Sequence, residues 1–104
     1  MAKYLLLYEG GSMPESEMEQ AAVMQAWEQW FTQLGAAVTD PGNPFTPASA
    51  RVSADGSIGA GASSASGYSI LEADSLGAAA DLAKGCPVLQ GGASISVFET
   101  FEVM

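Results

Sequence analysis

The sequence predicts an α+β domain, a split βαβ sandwich in which two helices cover one face of an antiparallel sheet. Three observations predict it. The chain alternates strand and helix patterns in the order strand, helix, strand or hairpin, strand, helix, strand. Both helix patterns are bounded by capping residues and a glycine stop. The 104 residues match one domain of ordinary size, so residues 1–104 are treated as a single unit.

The first strand is expected from about Ala2 to Tyr8. Successive side chains of a strand point to opposite faces, so Lys3, Leu5 and Leu7 share one face. The other face carries three further, largely apolar residues: Tyr4, Leu6 and Tyr8. Because both faces are mostly apolar, we expect both to be covered, one of them by helices.

The first helix has two candidate starts, since the segments Ser12–Glu15 and Ser16–Glu19 both fit a capping box. The helix is expected to end at about Leu34, with Gly35 as its stop. Residues at spacings of three and four form its apolar stripe: Val23, Trp27, Trp30, Phe31 and Leu34.

The middle of the chain carries mixed signals. Ala36–Thr39 fits a short strand, and residues 40–44 are dense in turn-forming residue types. Arg51–Ser53 and Ser57–Ile58 flank an Asp-Gly turn, which predicts a hairpin. The small and polar residues 59–66 predict a flexible surface loop.

The last third of the chain repeats the strand–helix–strand pattern. A strand is expected over Tyr68–Glu72, and Asp74 or Ser75 then caps a second helix that ends before Gly85. One face of this helix carries Leu76, Ala79, Ala80 and Ala83. The final strand is expected from about Ser94 to Val103, with alternate positions occupied by Ile95, Val97 and Phe101.

This order of elements is the arrangement of ferredoxin-like domains. Both helices pack on one face of such a sheet, which leaves the other face bare unless a second copy covers it. We therefore expect a homodimer in which the two sheets stack on each other.

Composition excludes several classes of function. Twelve acidic and three basic residues give a net charge of −9, which rules against binding nucleic acid or anionic membranes. The absence of histidine and the single cysteine exclude histidine-based catalysis, most zinc sites and an intramolecular disulfide. The glycine pairs at 10–11 and 91–92 match no nucleotide-binding motif, so we expect neither a metal nor a cofactor. The apolar run at 4–8 is too short for a signal peptide, and a cytoplasmic location is expected.

Most of the chain resembles the YCII-related family. The similar parts are Lys3–Leu7, Trp27–Gly35, Gly67-Tyr68, Glu72–Leu76, Gly85–Leu89 and Gly91-Gly92. The resemblance implies a ferredoxin-like subunit that dimerises into an α/β barrel, and it implies little about chemistry.

Two features of that family are missing here. Some members have a proposed His-Asp site with the histidine on the first helix, where this chain reads Val23-Met24-Gln25-Ala26-Trp27. Many relatives also carry an Asp-Gly-Pro-Phe motif before the strand at Tyr68, where this chain has only small residues. The family's proposed catalytic pair is therefore not carried over.

Six residues are candidates for a functional role. Ligand contacts are expected in a cleft between helix and sheet, from the aromatic residues Tyr8, Trp27, Phe45 and Tyr68 and from Asp40. Asp40 and Glu9 are the candidate acid–base residues. Structural roles are the alternative. Trp27, like Trp30, would be a core residue, and Tyr68 would pack in the sheet or in the dimer interface. Asp40 would bond the local backbone in a turn, and Glu9 would be a solvated carboxylate.

Three functions remain open on the sequence. The first is a dimeric module that binds a small, partly apolar ligand. The second is a cofactor-free enzyme of the lyase, isomerase or cyclase type that uses a carboxylate for acid–base chemistry. The third is a non-catalytic interaction subunit, in which the tail from Phe98 to Met104 extends into a neighbour.

Overall fold

The computed structural model describes residues 2–11, 16–61 and 63–103. Its strands are β1 (Ala2–Glu9), β2 (Val38–Asp40), β3 (Ala50–Val52), β4 (Ile58–Ala60), β5 (Ala65–Ala73) and β6 (Ser94–Glu99). Its α-helices are α1 (Glu17–Leu34) and α2 (Leu76–Ala83), and the segments Gly35–Ala37 and Pro87–Gly91 form 3₁₀ turns.

The main sheet has the order β2-β5-β1-β6, and each neighbouring pair is antiparallel. Side chains of both helices pack in one core with the same face of β1. This arrangement confirms the predicted ferredoxin-like α+β fold. The remaining strands, β3 and β4, form a separate two-stranded hairpin.

The ends of α1 follow from local chemistry. The side chain of Ser16 accepts a hydrogen bond from the Glu19 backbone N–H at 3.1 Å, which confirms Ser16 as the N-cap of the helix. Gly35 ends the helix with φ of 56°, and its N–H donates to the Phe31 carbonyl. The alternative start at Ser12–Glu15 lies outside the described residues.

The core lies between the helices and one face of the sheet. Tyr4, Leu6 and Tyr8 of β1 are buried on that face, as is Leu71 of β5. The helices contribute Trp30, Ala79 and Ala83. Tyr4 also donates its phenol hydrogen to Glu99 at 3.0 Å, and burial together with this carboxylate raises the pKa of Tyr4.

The sequence-based prediction of a loop over 59–66 is wrong at both ends. Ile58–Ala60 belongs to β4, and β5 begins at Ala65. Neighbouring groups come close at two glycines: a Cβ on Gly61 would lie 1.9 Å from the Ser49 hydroxyl oxygen, and one on Gly67 would lie 3.2 Å from the Asn43 carbonyl oxygen. Backbone pairing with β1, which composition does not reveal, converts part of this stretch into strand.

Two further predictions are corrected. The last strand ends at Glu99 and not at Val103: its ladder with β1 stops at the pair Tyr4–Glu99, beyond which the Thr100 N–H still donates to the Lys3 carbonyl at 2.9 Å. Phe101, predicted on a strand face, lies beyond the sheet with 83% of its surface exposed. Leu76 was predicted on the packing face of α2, but it occupies the first turn and is exposed.

Candidate functional site

The sheet separates the predicted site residues into two groups. Tyr8 faces the helices, and its ring makes an edge-to-face contact with Trp27 of α1 at a centroid distance of 5.5 Å. Asp40, Phe45 and Tyr68 lie on the opposite side of the sheet. The structure therefore brings together two of the five residues on one side and three on the other.

The helix side is filled by aromatic packing. Trp27 contacts Trp30 and Phe31 with ring centroids 5.7 and 5.6 Å away. Trp30 is buried, and its indole N–H donates to the Leu82 carbonyl at 3.3 Å. Trp30 thus has the core role that its place in the helical stripe allowed, and Trp27 is half-buried beside it.

The opposite face of the sheet, here called the open sheet face, has no helix packed on it among the described residues. Its register places side chains from β1, β5 and β6 on one surface: Lys3, Leu5, Leu7, Glu9, Tyr68, Ile70, Glu72, Ser94, Ser96 and Phe98. The centre of this surface is apolar, and Phe98 is half exposed. Charged residues lie towards its ends.

Three of the predicted residues form a cluster on this face, here called the Asp40 cluster (Asp40, Phe45, Tyr68). The phenol of Tyr68 donates to Asp40 Oδ2 at 3.4 Å. The rings of Phe45 and Tyr68 stack with centroids 6.0 Å apart and an angle of 28°. Phe45 is 46% exposed, so one side of this aromatic pair faces solvent. The cluster combines a flat apolar surface with a carboxylate acceptor.

An irregularity in β2 directs Asp40 to this face. Val38 pairs with Leu71, but Asp40 pairs with Ile70, so one extra residue stands on β2. A regular ladder would place Asp40 opposite Ser69, on the helix side. The bulge at Thr39 turns the carboxylate to the open sheet face, beside Tyr68.

The loop that follows β2 is held close to β5. The Phe45 N–H donates to the Ser66 carbonyl at 2.8 Å, and the Gly42 N–H donates to Asp40 Oδ1 at 2.9 Å. Gly42 has φ of 72°, and a Cβ there would lie 1.8 Å from the Tyr68 carbonyl oxygen. Asp40 therefore has the turn role considered from the sequence, while its second oxygen points to Tyr68.

The other candidate carboxylate lies elsewhere on the same face. Glu9, at the end of β1, is half-buried and accepts a hydrogen bond from the Ser96 hydroxyl of β6. It pairs with Ser94 on β6, whereas Asp40 pairs with β5 at the opposite edge of the sheet. Glu9 and Asp40 therefore do not form one acid–base pair.

Sequence reasoning missed a buried polar group on β5. Ser69 is 1% exposed on the helix side, where it accepts a hydrogen bond from the Tyr8 hydroxyl at 2.7 Å. Its own hydroxyl donates to the Pro41 carbonyl at 2.7 Å. The sequence does carry a signal for this role: Ser69 lies two residues before Leu71 and four before Ala73, so it shares the buried face of the strand with them.

Burial changes the acidity of two groups near this serine. Desolvation raises the pKa of the Tyr8 phenol, although the hydrogen bond with Ser69 acts in the opposite direction. Burial raises the pKa of the Cys86 thiol to about 11. Both groups are neutral at pH 7, and Cys86 has the structural role expected of it.

Surface depressions do not coincide with these residues. One, of about 410 Å³, is lined by the polar side of α1 from Gln25 to Gln33. Another, of about 500 Å³, lies between the end of β5 and α2 and is lined by residues that include Ala37, Ala73 and Leu82. Within the described ranges, no three Cys, Asp or Glu side chains could together hold a metal ion. No helix among these ranges is long and apolar enough to cross a membrane.

Comparison with solved structures finds the same fold in an enzyme. The chain is similar to 5-chloro-2-hydroxyhydroquinone dehydrochlorinase (TftG) from Burkholderia phenoliruptrix AC1100, solved in complex with 2,5-dihydroxybenzoquinone. The TM-score is 0.57 at 17% sequence identity, over 94% of this chain and 93% of that one. No protein-family profile and no curated protein sequence matches the chain.

Proposed function

We propose that this protein is a YCII-like homodimer that binds a small, partly apolar ligand at the Asp40 cluster. The observation that carries the proposal is the juxtaposition of the stacked Phe45 and Tyr68 rings with the Asp40 carboxylate. A site with a flat apolar surface and a single strong acceptor fits a planar ring that bears a hydroxyl group.

The charge of the protein narrows the ligand class further. The net charge of −9 and the Asp40 carboxylate both oppose an anionic ligand. A neutral phenol can instead donate its hydroxyl hydrogen to Asp40 while its ring stacks on Phe45. The complex of TftG with a hydroxylated six-membered ring supports the choice of this class for testing.

A second copy would complete the site. The open sheet face exposes an apolar centre that includes Leu5, Leu7 and Ile70, and the Asp40 cluster lies at its β2 edge. The Cα atoms span only 18 Å in the thinnest direction, as expected for one sheet with one layer of helices. In the proposed dimer, the second sheet covers the apolar centre and shields the ligand from water.

The test is calorimetric titration with hydroquinone under nitrogen, with 2,5-dihydroxybenzoquinone as the comparison ligand. The quinone is a vinylogous acid that is anionic at neutral pH, so hydroquinone is expected to bind more tightly. Asp40→Asn should weaken hydroquinone binding by about ten-fold or more, because the acceptor loses its charge. Asp55→Asn, an exposed carboxylate on the β3–β4 turn, is the matched control and should leave the affinity unchanged. Absence of hydroquinone binding to the wild-type protein would contradict the proposal.

A cofactor-free enzyme is the second candidate. The observation in its favour is that Asp40 and Glu9 are half-buried and that each accepts a hydroxyl hydrogen, from Tyr68 and Ser96 respectively. Either carboxylate can then exchange a proton with a bound phenol. The test is chloride release from 5-chloro-2-hydroxyhydroquinone above the uncatalysed rate, with Asp40→Asn and Glu9→Gln compared. A rate equal to that of buffer in the wild type excludes this reaction.

A further inference from the structure

We infer that Ser69 is a positioning residue, which acts from the helix side of the sheet to hold Asp40 beside Tyr68 on the open sheet face. The part that concerns ligand affinity rests on the proposed function. The part that concerns the geometry of the Asp40 turn does not.

The hydrogen bonds at Ser69 have a defined direction. A serine hydroxyl has one hydrogen to donate, and at Ser69 it goes to the Pro41 carbonyl at 2.7 Å. The Tyr8 hydroxyl fills an acceptor position of the same oxygen, also at 2.7 Å. Ser69 is 1% exposed, so water does not compete for these bonds. The Pro41 carbonyl is thus tied to the centre of the sheet.

The tie matters because Pro41 stands between the two residues that define the turn. Proline has a fixed φ, and it restricts the preceding residue, here Asp40, to extended backbone. On the other side, the Gly42 N–H donates to Asp40 Oδ1, and Gly42 lies against the Tyr68 carbonyl. Asp40, Pro41 and Gly42 therefore behave as one stiff unit, and an anchor on its central carbonyl sets the position of the carboxylate.

The choice of serine at this position is not explained by packing. Its neighbours on the core face of β5, Leu71 and Ala73, are apolar. A buried hydroxyl costs desolvation unless its bonds are made, and here both are directed to the turn and to Tyr8. The hydroxyl serves the connection between the two sides of the sheet.

The experiment follows the Gly42 amide by NMR in the full-length chain. Ser69→Ala should raise the hydrogen-exchange rate of the Gly42 amide by about ten-fold and shift its resonance, because the turn loses its anchor. The Gly42 rate should rise by a larger factor than the rates of the Leu6 and Leu71 amides in the sheet centre, which report any general loss of stability. Ser66→Ala is the matched control. It removes a hydroxyl of the same strand, one that donates to the Tyr8 carbonyl, and it should leave the exchange rate of the Gly42 amide unchanged.

Ser69→Ala also leaves the Tyr8 hydroxyl buried without its acceptor. If that variant does not fold, the double variant Tyr8→Phe/Ser69→Ala removes both polar groups and still frees Pro41. An unchanged Gly42 exchange rate in whichever variant folds would overturn the inference.

Ligand affinity gives the second readout. Ser69→Ala should raise the Kd for hydroquinone by about five- to ten-fold, because the carboxylate is no longer held in place. A changed Gly42 amide with an unchanged Kd would overturn the role of Ser69 at the ligand site. If the wild-type protein binds no hydroquinone, the proposed function fails, whereas the Gly42 measurement still decides whether Ser69 positions the turn.

Discussion

Tyr8 and Ser69, on neighbouring strands at the centre of the sheet, are joined by a 2.7 Å hydrogen bond that is closed off from water beneath α1. The phenol donates and the serine oxygen accepts. This bond is one half of the connection between the aromatic core and the Asp40 turn. Burial, and not this bond, keeps Tyr8 in its neutral form, in the same core cluster as the Cys86 thiol.

Stability is expected to fall at alkaline pH because of these two groups. Their pKa values are raised in the folded protein, to about 11 for Cys86, so the folded state keeps protons that the unfolded chain releases. The stabilisation is complete below about pH 8.5, where an unfolded cysteine begins to ionise, and it decreases as the pH rises towards 11. Each retained proton contributes a slope of up to about 1.4 kcal/mol per pH unit.

Urea unfolding between pH 7.5 and 10.5 measures this slope. Cys86→Ala should remove the loss that begins near pH 8.5, and Tyr8→Phe the loss that begins near pH 10, at the ordinary pKa of about 10 for tyrosine. Tyr4 leaves a residual slope in both variants, because its pKa is also raised. If both variants show the wild-type slope, these groups do not retain their protons as described.

Gly42 is expected to be far more sensitive to substitution than Gly56. Both have positive φ, 72° and 88°, so alanine strains the backbone at either position. A Cβ at Gly56 meets open space, whereas one at Gly42 would lie 1.8 Å from the Tyr68 carbonyl oxygen. Gly56→Ala should therefore cost about 1 kcal/mol, and Gly42→Ala more than about 2 kcal/mol with a displaced Asp40 turn.

Chemical denaturation of the two variants gives the comparison, and hydroquinone titration reports on the turn. Equal destabilisation by both substitutions would mean that the loop does not lie against β5 as described.

The proposed dimer predicts an effect of a charge on the open sheet face. Ile70→Asp should yield a folded single chain, because the carboxylates of two copies would meet in an apolar interface. Val52→Asp is the control, since Val52 is exposed on the β3–β4 hairpin, which is not part of the main sheet. With a charge of −9 on each copy, added salt should strengthen the association by screening repulsion.

Sedimentation equilibrium at low and high salt measures both effects. A wild-type protein that stays monomeric and folded at micromolar concentration would contradict both the proposed dimer and the ligand site that the dimer closes.

Removal of residues 101–104 separates the dimer proposal from the interaction-subunit hypothesis. Phe101 and Val103 are 83% and 73% exposed. Just before them, the Thr100 N–H donates a hydrogen bond to the Lys3 carbonyl at 2.9 Å. If the open sheet face forms the interface, the truncated protein should keep the wild-type mass in light scattering. A reduced mass would favour the tail as the means of association.

The sequence alone determined the elements whose signals are local. Ser16 and Gly35 bound α1, Ser75 caps α2, and the Asp-Gly turn joins β3 to β4, because capping and turn chemistry act over a few neighbouring residues. The order of these elements then indicated the ferredoxin-like sheet, as the structure confirms.

Only the tertiary structure decided which residues share a site. The bulge at Thr39 moves Asp40 to the open sheet face. Pairing with β1 extends β5 back to residues 65 and 66. Successive side chains of a strand point to opposite faces, so Tyr8 faces α1 and contacts Trp27, whereas Tyr68 lies opposite Leu7 on the open sheet face. Register and bulges depend on contacts between distant parts of the chain, and for that reason no local pattern reveals them.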